Sequence, residues 1–527
     1  MATTDRYKSV VSTLDLPQPA WVTDAEDSMR VAAYDGYQQM YDNVPDTFKT
    51  AMRGTNDKPL YAPGAKRIVE TKNRYLARDW GWVVLSVLPA AEDGTPGGDA
   101  LAIETLQNAL AVFAGREELP TKFYSLKRSF LTKGDACWLV SQDLGKPAGS
   151  QISITELDPR QYFRIPSPAD IETTIGCYLV DLVFADDGKT QVARRLEYRK
   201  VFKSPGAPPT IFTKVSFFEP NAWDDRFVTS AATKPVPTPT AYATPELSPL
   251  VSGYEMNPAI SALPVYHFRN GRRGNEPFGT SEIAGLETLI VGMNQTLSDE
   301  DFTLALQGLG LYVTDSPRPV NDEGEETDWI IEPGYVLELR GAAKKFERVS
   351  GVTSVTPYQE HIQKLTDLTD QAAAIPAAAA GKVTAEVAAS GVALRLEMAP
   401  IIASNEEKET ELLSRLDQMF YDLVHMWFPL DGVSVPDDLI VKNSFADPLP
   451  QDRAAIIAEV SALVAAGLMS KAFAISYLAA KLGYQFPPGM AGTIRNETDE
   501  IGERIIAEQG GVLADPLAEP ATAPAAV

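Results

Sequence analysis

Between residues 281 and 306 the apolar positions Ile283, Leu286, Leu289, Ile290, Met293 and Leu297 recur in steps of three and four. That spacing places them on one stripe of an α-helix. Ser281 opens the predicted helix, Glu282 lies in its first turn, and Gly308 and Gly310 end it. Roughly 26 residues predict a rod about 39 Å long. A second rod is predicted from Pro357. Tyr358, Ile362, Leu365, Leu368 and Ala372 mark its apolar side, and Gln359, Glu360, Gln363, Lys364, Asp367 and Asp370 its polar side. A third runs from near Ser390 to Trp427, with its stripe at Leu412, Leu416, Met419, Phe420, Leu423 and Trp427. It is about three times the usual helix length, and Pro400 predicts a kink within it. Rods this long, apolar on one side only, predict partners from other copies of the chain, as a ring would supply.

Around the rods the pattern changes repeatedly. Before residue 135 it is mostly helical: MRVAAYDGYQQMYDN (after Asp27 and Ser28 as plausible caps), AKRIVETKNRYLARDWG, ALAIETLQNALAVFAG and TKFYSLKRSFLTKG. From Asp135 to Phe218 short strands follow, ACWLVSQD, SQISITELD, GCYLVDLVFAD, ARRLEYRKVF and PTIFTKVSFFE, with turns at DLGKPAG, DPRQ and DDGKT. Residues 221–258 form a Pro/Thr/Ala-rich excursion, and LPVYHFRN is one more strand. The first two rods flank a β insertion rich in Gly and Pro turns. An alanine-rich loop, IPAAAAGKVTAEVAAS, joins the second rod to the third. LIVKNSF reads as a strand. QDRAAIIAEVSALVAAGLMSKAFAISYLAAKLG reads as a helical pair broken at Gly467, with Ser470 as a new cap, and the Ala/Pro/Glu tail after it predicts disorder. The fold class is α+β.

Composition narrows the function. The chain has 527 residues and a formal net charge of −24, which argues against broad electrostatic gripping of DNA or anionic membranes. Its most apolar run, WGWVVLSVLPAA, is too short to span a bilayer, and the N-terminus lacks the apolar core of a signal peptide. Cys137 and Cys177 predict buried free thiols in a reducing cytoplasm. His267, His361 and His425 are isolated in sequence, and no zinc or serine-hydrolase motif is present. AAAAGKVT fails as a phosphate loop, since Pro376 and Val383 stand where a glycine and a Ser or Thr are needed. GRRGNEPFG reads either as a phosphate contact or as a solvated turn. SDEDF (298–302) reads as a solvated helical face, and NDEGEETD does not match a calcium loop. No enzyme, cofactor or metal site is predicted.

LPVYHFRN leading to FGTSEIAGLETLIVGMNQTLSDEDF, then SGVALRLEMAPI, then AAGLMSKAFAI, stand in an order that resembles the portal proteins of tailed double-stranded DNA bacteriophages. The resemblance covers roughly residues 29–483 and rests on order and spacing, not on a catalytic signature. It implies a dodecameric ring at one capsid vertex of the virion, assembled in the host cytoplasm, through which double-stranded DNA is packaged and ejected. It implies a wing at 1–278, stem helices at 279–307 and 357–375, and a clip at 308–356. A tunnel loop follows at 376–390, then a long wing helix and strand at 391–447, a crown at 448–490 and a tail at 491–527. The implied partners are the terminase large subunit, a head-completion adaptor, and the major capsid and scaffold proteins, with no membrane. The excursion at 221–258 has no counterpart in this picture.

The same resemblance places Lys382, Thr384 and Glu386 on the DNA-channel loop. A loop with a single lysine would touch phosphates without holding them, because each added cation strengthens binding. Arg340, Lys344 and Lys345 would form a basic group on the clip, facing DNA or an acidic motor surface; they also read as lysines guarding a β edge. Two alternatives stay open: another phage head-tail adaptor or minor capsid protein, and an enzyme assembled from scattered carboxylates.

Overall fold

The computed structural model describes residues 5–16, 25–52, 58–88, 99–170, 172–204, 206–218, 253–271, 276–309, 311–314, 317–318, 326, 346–349, 355–382, 391–447, 453–469, 474 and 477–478. The chain divides into two units, Met1–Phe445 and Ala446–Val527. It mixes helix and sheet throughout the larger one.

Strand β2 (Asp135–Gln142) carries the core of that unit. Ala136, Cys137, Trp138 and Val140 are all buried, so both of its faces are covered. It lies between β3 (Ile152–Leu157) and β9 (Val265–Arg269), antiparallel to each, with Trp138 opposite Glu156 on one side and Tyr266 on the other. Rings gather around Trp138. Phe268 lies 5.7 Å from it edge-on, and Trp80 of β1 (Arg78–Ser86) packs 4.6 Å from Phe123 of α5 (Leu119–Lys133). Offset and edge-on ring pairs of this kind add to the area they bury. Strand β1 pairs with β12 (Leu439–Ala446), and the Trp80 indole donates to Asn443 Oδ1 at 3.0 Å. Segments more than 350 residues apart in sequence therefore close one core.

A second sheet is the meander β4 (Tyr162–Pro166), β5 (Thr174–Phe184), β6 (Gln191–Val201), β7 (Thr210–Phe218) and β8 (Tyr254–Glu255). Its tightest turn is the predicted DDGKT: Gly188 takes φ +63°, and Asp187 Oδ1 accepts from the amides of Lys189 and Thr190. Four more helices pack in this unit: α1 (Asp5–Thr13), α2 (Ala25–Tyr41), α3 (Gly64–Tyr75) and α4 (Ala100–Arg116). Asp27 and Ser28 do not cap α2, which begins before them. Asp27 instead pairs at 2.7 Å with Arg30, one turn on and fully buried. Both cysteines are buried free thiols, and burial pushes the Cys177 thiol up to about 12.

The first rod is shorter than its periodicity suggests. Helix α6 spans Glu287–Leu309, 23 residues or about 34 Å. Ser281 Oγ turns inward to Thr132 O and accepts from Ile283 N, and Gly285 has φ +85°; helix cannot pass through that pair of constraints. Ile283, Leu286, Ile290 and Met293 are buried as expected. Asn294 and Ser298 share that face, where they bind the backbone of an extended segment: Ala62 N donates to Asn294 Oδ1 and Leu60 N to Ser298 Oγ, each at 2.9 Å. SDEDF is accordingly not a uniformly solvated face, since Ser298 and Glu300 are buried.

From α6 the chain enters β10 (Leu311–Thr314), whose partner β11 (Phe346–Val349) leads back into α7 (Thr356–Ala372). Helices α6 and α7 run antiparallel: Thr303 meets Tyr358, Glu300 meets Gln359, and Met293 meets Thr366. The inward side of α7 is Tyr358, Ile362, Leu365, Thr366 and Thr369; Leu368 and Ala372 lie outside it. Asp370, expected on the solvated side, is held by both guanidinium nitrogens of Arg67 at 2.7 and 3.0 Å.

The third rod is α8 (Gly391–Asp422), continued by a π-turn at Leu423–Trp427 and a 3₁₀ turn at Phe428–Asp431. Pro400 sits inside it, exposed. Every residue of the predicted stripe is at most 1% exposed. Phe420 packs on both Trp80 and Trp82 at 5.8 Å. The expectation that this rod lacks partners within its own chain is therefore corrected for its C-terminal half. In the smaller unit, α9 (Arg453–Ala465) stops at Gly467, φ +70°, as read from the sequence.

Asp422 closes α8 in the core, accepting from the Tyr266 hydroxyl at 2.9 Å. Burial pushes its carboxyl up to about 6, against the opposing pull of Tyr266, Lys200 and His425. A raised carboxyl favours the fold fully below its unfolded value near 4, and that advantage is lost as pH rises through about 6. Asp422→Asn is expected to leave the melting temperature unchanged at pH 4 and to raise stability by up to about 3 kcal/mol at pH 8. Calorimetry at the two pH values tests it; a loss confined to pH 8 would show instead that ionised Asp422 stabilises the core.

Candidate functional site

The alanine-rich loop starts where α7 stops, and two consecutive helix stops shape its base. At the first, Ala374 adopts φ +53°, with Ile375 N bonded to Asp370 O and Ala374 N to Gln371 O. Pro376 then restarts a single turn. It ends with Lys382 N on Ala377 O at 2.9 Å and Gly381 N on Ala378 O at 3.1 Å, with Gly381 at φ +83°. Both have the six-to-one and five-to-two bonding of a Schellman stop. Gly381 takes the left-handed conformation without strain, whereas Ala374 does so against its Cβ.

Burial separates the two ends of this turn. Ala373, Ile375 and Ala378 are buried, and Glu397 of α8 accepts from Ala378 N at 3.1 Å, satisfying an amide that the short turn leaves open. The loop is thus tied to the long helix at one point and, through Asp370–Arg67, to α3 at another. Lys382 emerges exposed. Beside it, the outer side of α7 presents Gln359, Glu360, Gln363, Lys364, Asp367 and Gln371 to solvent, with no excess of positive charge. Thr384 and Glu386 lie outside the described residues, as do Arg340, Lys344 and Lys345 of the expected clip group. The structure therefore places one of the predicted site residues, Lys382, at the exposed end of a braced small-residue turn.

Sequence reading missed a buried polar node within the same unit. Asp135 is fully buried and accepts from His267 Nε2 at 2.6 Å, from Gly279 N at 2.9 Å and from the Tyr34 hydroxyl. Burial would raise its carboxyl, yet these three donors hold it below the usual range. Burial likewise lowers His267, against the pull of Asp135, so the pair is an ionised acid and a neutral imidazole. Nothing in the sequence linked residues 132 positions apart; the antiparallel register of β2 and β9 brings them together. His425 is bonded to Leu439 O, and His361 is exposed. Among the described residues no group of three or more His, Cys, Asp or Glu converges as a metal site.

No family model matches this chain. No curated protein matches it either. Among solved structures it is similar to a chain of the virion of a native gene transfer agent particle, at 11% identity and a TM-score of 0.37, over 92% of this chain and 100% of that one. The likeness is loose. At that overlap it establishes neither a shared fold nor a shared activity.

Proposed function

We propose that this chain is a portal-type subunit that assembles with copies of itself into a ring, through which double-stranded DNA passes into and out of a phage capsid. One observation carries the reading. An antiparallel helix pair, α6 and α7, is joined through a β pair at one end, and its return helix runs into a braced alanine turn that exposes Lys382 and hands the chain to the long α8. A loop for sliding DNA needs small side chains, a rigid base and little positive charge, since phosphate contacts repeated around a ring would act as a brake. One lysine per subunit meets that need.

In this reading Lys382, Thr384 and Glu386 face the channel, residues 308–356 dock the terminase large subunit and later the head-completion adaptor, and Arg340, Lys344 and Lys345 contribute cations there. The ring is dodecameric in the virion and contacts the major capsid and scaffold proteins.

Mass measurement of the purified chain, with negative-stain images down the ring axis, is the test. The expected result is a closed ring of about twelve copies with a central opening wide enough for a DNA duplex. A monomer, or an assembly with no central opening, would overturn the reading and leave another capsid or adaptor role. Lys382→Glu is expected to leave ring assembly and stability within about 0.5 kcal/mol, as at most exposed positions, and to slow DNA passage in a packaging assay.

A further inference from the structure

From Trp80 onward strand β1 is apolar on both faces, and only one of them is covered. Trp80, Trp82 and Val84 turn into the core, where both indoles meet Phe420 and Val84 is buried. Val83 and Leu85, at the alternate positions, stand on the opposite side. Val87 and Leu88 follow just past the strand, and all four are between 44% and 60% exposed. On the paired strand β12 the same alternation buries Leu439, Val441 and Asn443 and leaves Ile440 and Lys442 outside, the lysine neutralised by Asp417 at 2.9 Å. From Gly81 to Leu88 the chain carries no charged residue, although the whole protein stands at −24. We propose that this face is a surface through which one copy of the chain packs against the next. The proposal rests on the reading of the chain as a ring-forming subunit and assigns one of the contacts that close the ring.

The contact is made by side chains and not by strand addition. Among the described residues β1 and β12 pair only with each other. Val84 N donates to Gln107 Oε1 of α4 at 3.0 Å, and Asn443 N to Asp417 Oδ1 of α8 at 2.9 Å. These amides lie outside the ladder and are already taken, so an incoming strand finds no open edge at them. What remains for a partner is the apolar face.

Size and charge both favour a second copy as its occupant. Four aliphatic side chains, each about half exposed, offer roughly 300 Å², the scale of apolar patch that marks interaction sites on soluble proteins. That is less than half of the about 800 Å² per partner that holds a standard complex together. A free-standing partner would be held weakly by it, whereas a neighbour already fixed by further contacts, as in a closed assembly, would be held well. Two chains at −24 repel wherever their acidic surfaces meet, and burying unpaired carboxylates adds a desolvation cost. An uncharged apolar strand lets such like-charged copies close, while a basic partner has acidic surface to choose elsewhere. In a ring the contact is heterologous, so this face meets a different surface of the next copy.

The test is thiol labelling of full-length Val83→Cys, in assembled and monomeric fractions separated by size exclusion with light scattering. Both native cysteines are buried, so the introduced thiol reports alone. It should react at least about tenfold more slowly in the assembly than in the monomer, as a thiol buried in an interface does. Leu144→Cys, at a position 72% exposed on the β2–β3 turn, should react equally fast in both. Leu85→Glu should weaken association about tenfold or more with an unchanged circular dichroism spectrum; Val87→Ser, at the most exposed of the four positions, repeats the test if Leu85→Glu does not fold. A parent that stays monomeric at every concentration would overturn this inference and the ring together. A ring in which Val83→Cys still labels fast, and which Leu85→Glu forms as readily as the parent, would overturn this inference alone. Slow labelling already in the monomer would show that the chain covers the face itself, equal slowing of Leu144→Cys would show general occlusion, and protection only on adding another capsid protein would give the face to that protein; each overturns the assignment.

Discussion

Gly279→Ala is expected to destabilise the larger unit by at least about 4 kcal/mol, or to prevent its folding. A Cβ on Gly279 would lie 1.9 Å from Gly134 O and 2.4 Å from Asn270 N, and those two atoms are themselves hydrogen-bonded at 2.8 Å. The methyl group would land inside a backbone hydrogen bond, with no flexible side chain to move aside. Gly279 N also donates to Asp135, and Thr280 N to Asn270 O, so three chain segments cross there and none can retreat alone. Ordinary overpacking costs about 1–3 kcal/mol because side chains can shift; here backbone must. Gly292→Ala is the control. It lies within α6 with nothing inside 4 Å of the added carbon, so it should gain about 0.5–1 kcal/mol from helix propensity. Urea denaturation measures both, and a Gly279→Ala midpoint within 1 M of the parent would refute the crossing as a rigid constraint.

Asp135→Ala should cost about 4 kcal/mol, since it strands three buried donors at about 1–3 kcal/mol each. Those donors are His267 Nε2–H, Gly279 N–H and the Tyr34 hydroxyl. Asp135→Asn should cost less, because its amide oxygen still accepts and the Tyr34 hydroxyl can rotate. The pH dependence follows from the lowered carboxyl. Its contribution is present above the ordinary carboxylate range and is lost as pH falls through the lowered value, so the gap between parent and Asp135→Ala should narrow in strong acid. Urea midpoints at pH 7 and in acid test this. A constant gap between the two proteins would mean that Asp135 acts through packing and not through charge.

Among what was legible, the strands from 135 to 218 and at 265–269 stand close to where turn residues and alternation place them, because Asp-Gly and Pro turns bound them locally. The stripe from Leu412 to Trp427 is buried residue for residue. Less legible were helix starts. Ser281 has the chemistry of a cap, but its hydroxyl is engaged by Thr132 O, and Gly285 breaks the chain's path after it. At the candidate site, small residues and a lone Lys382 could be read directly, whereas the brace from Glu397 and the fold-back at Ala374 could not.

By itself the sequence determined the local elements, their order and the polarity of their faces, since those depend on spacing within a few residues. It also determined the scarcity of cations along the loop. Only the tertiary structure decided which faces were covered. The long helix is sealed against Trp80 and Trp82, and α6 is zipped to residues 60–62 through Asn294 and Ser298. It alone brought Asp135 to His267. The physical reason is the same in each case. Hydrogen bonding and charge act over a few ångströms in space, and the residues they join are separated in the chain by distances that no periodicity encodes.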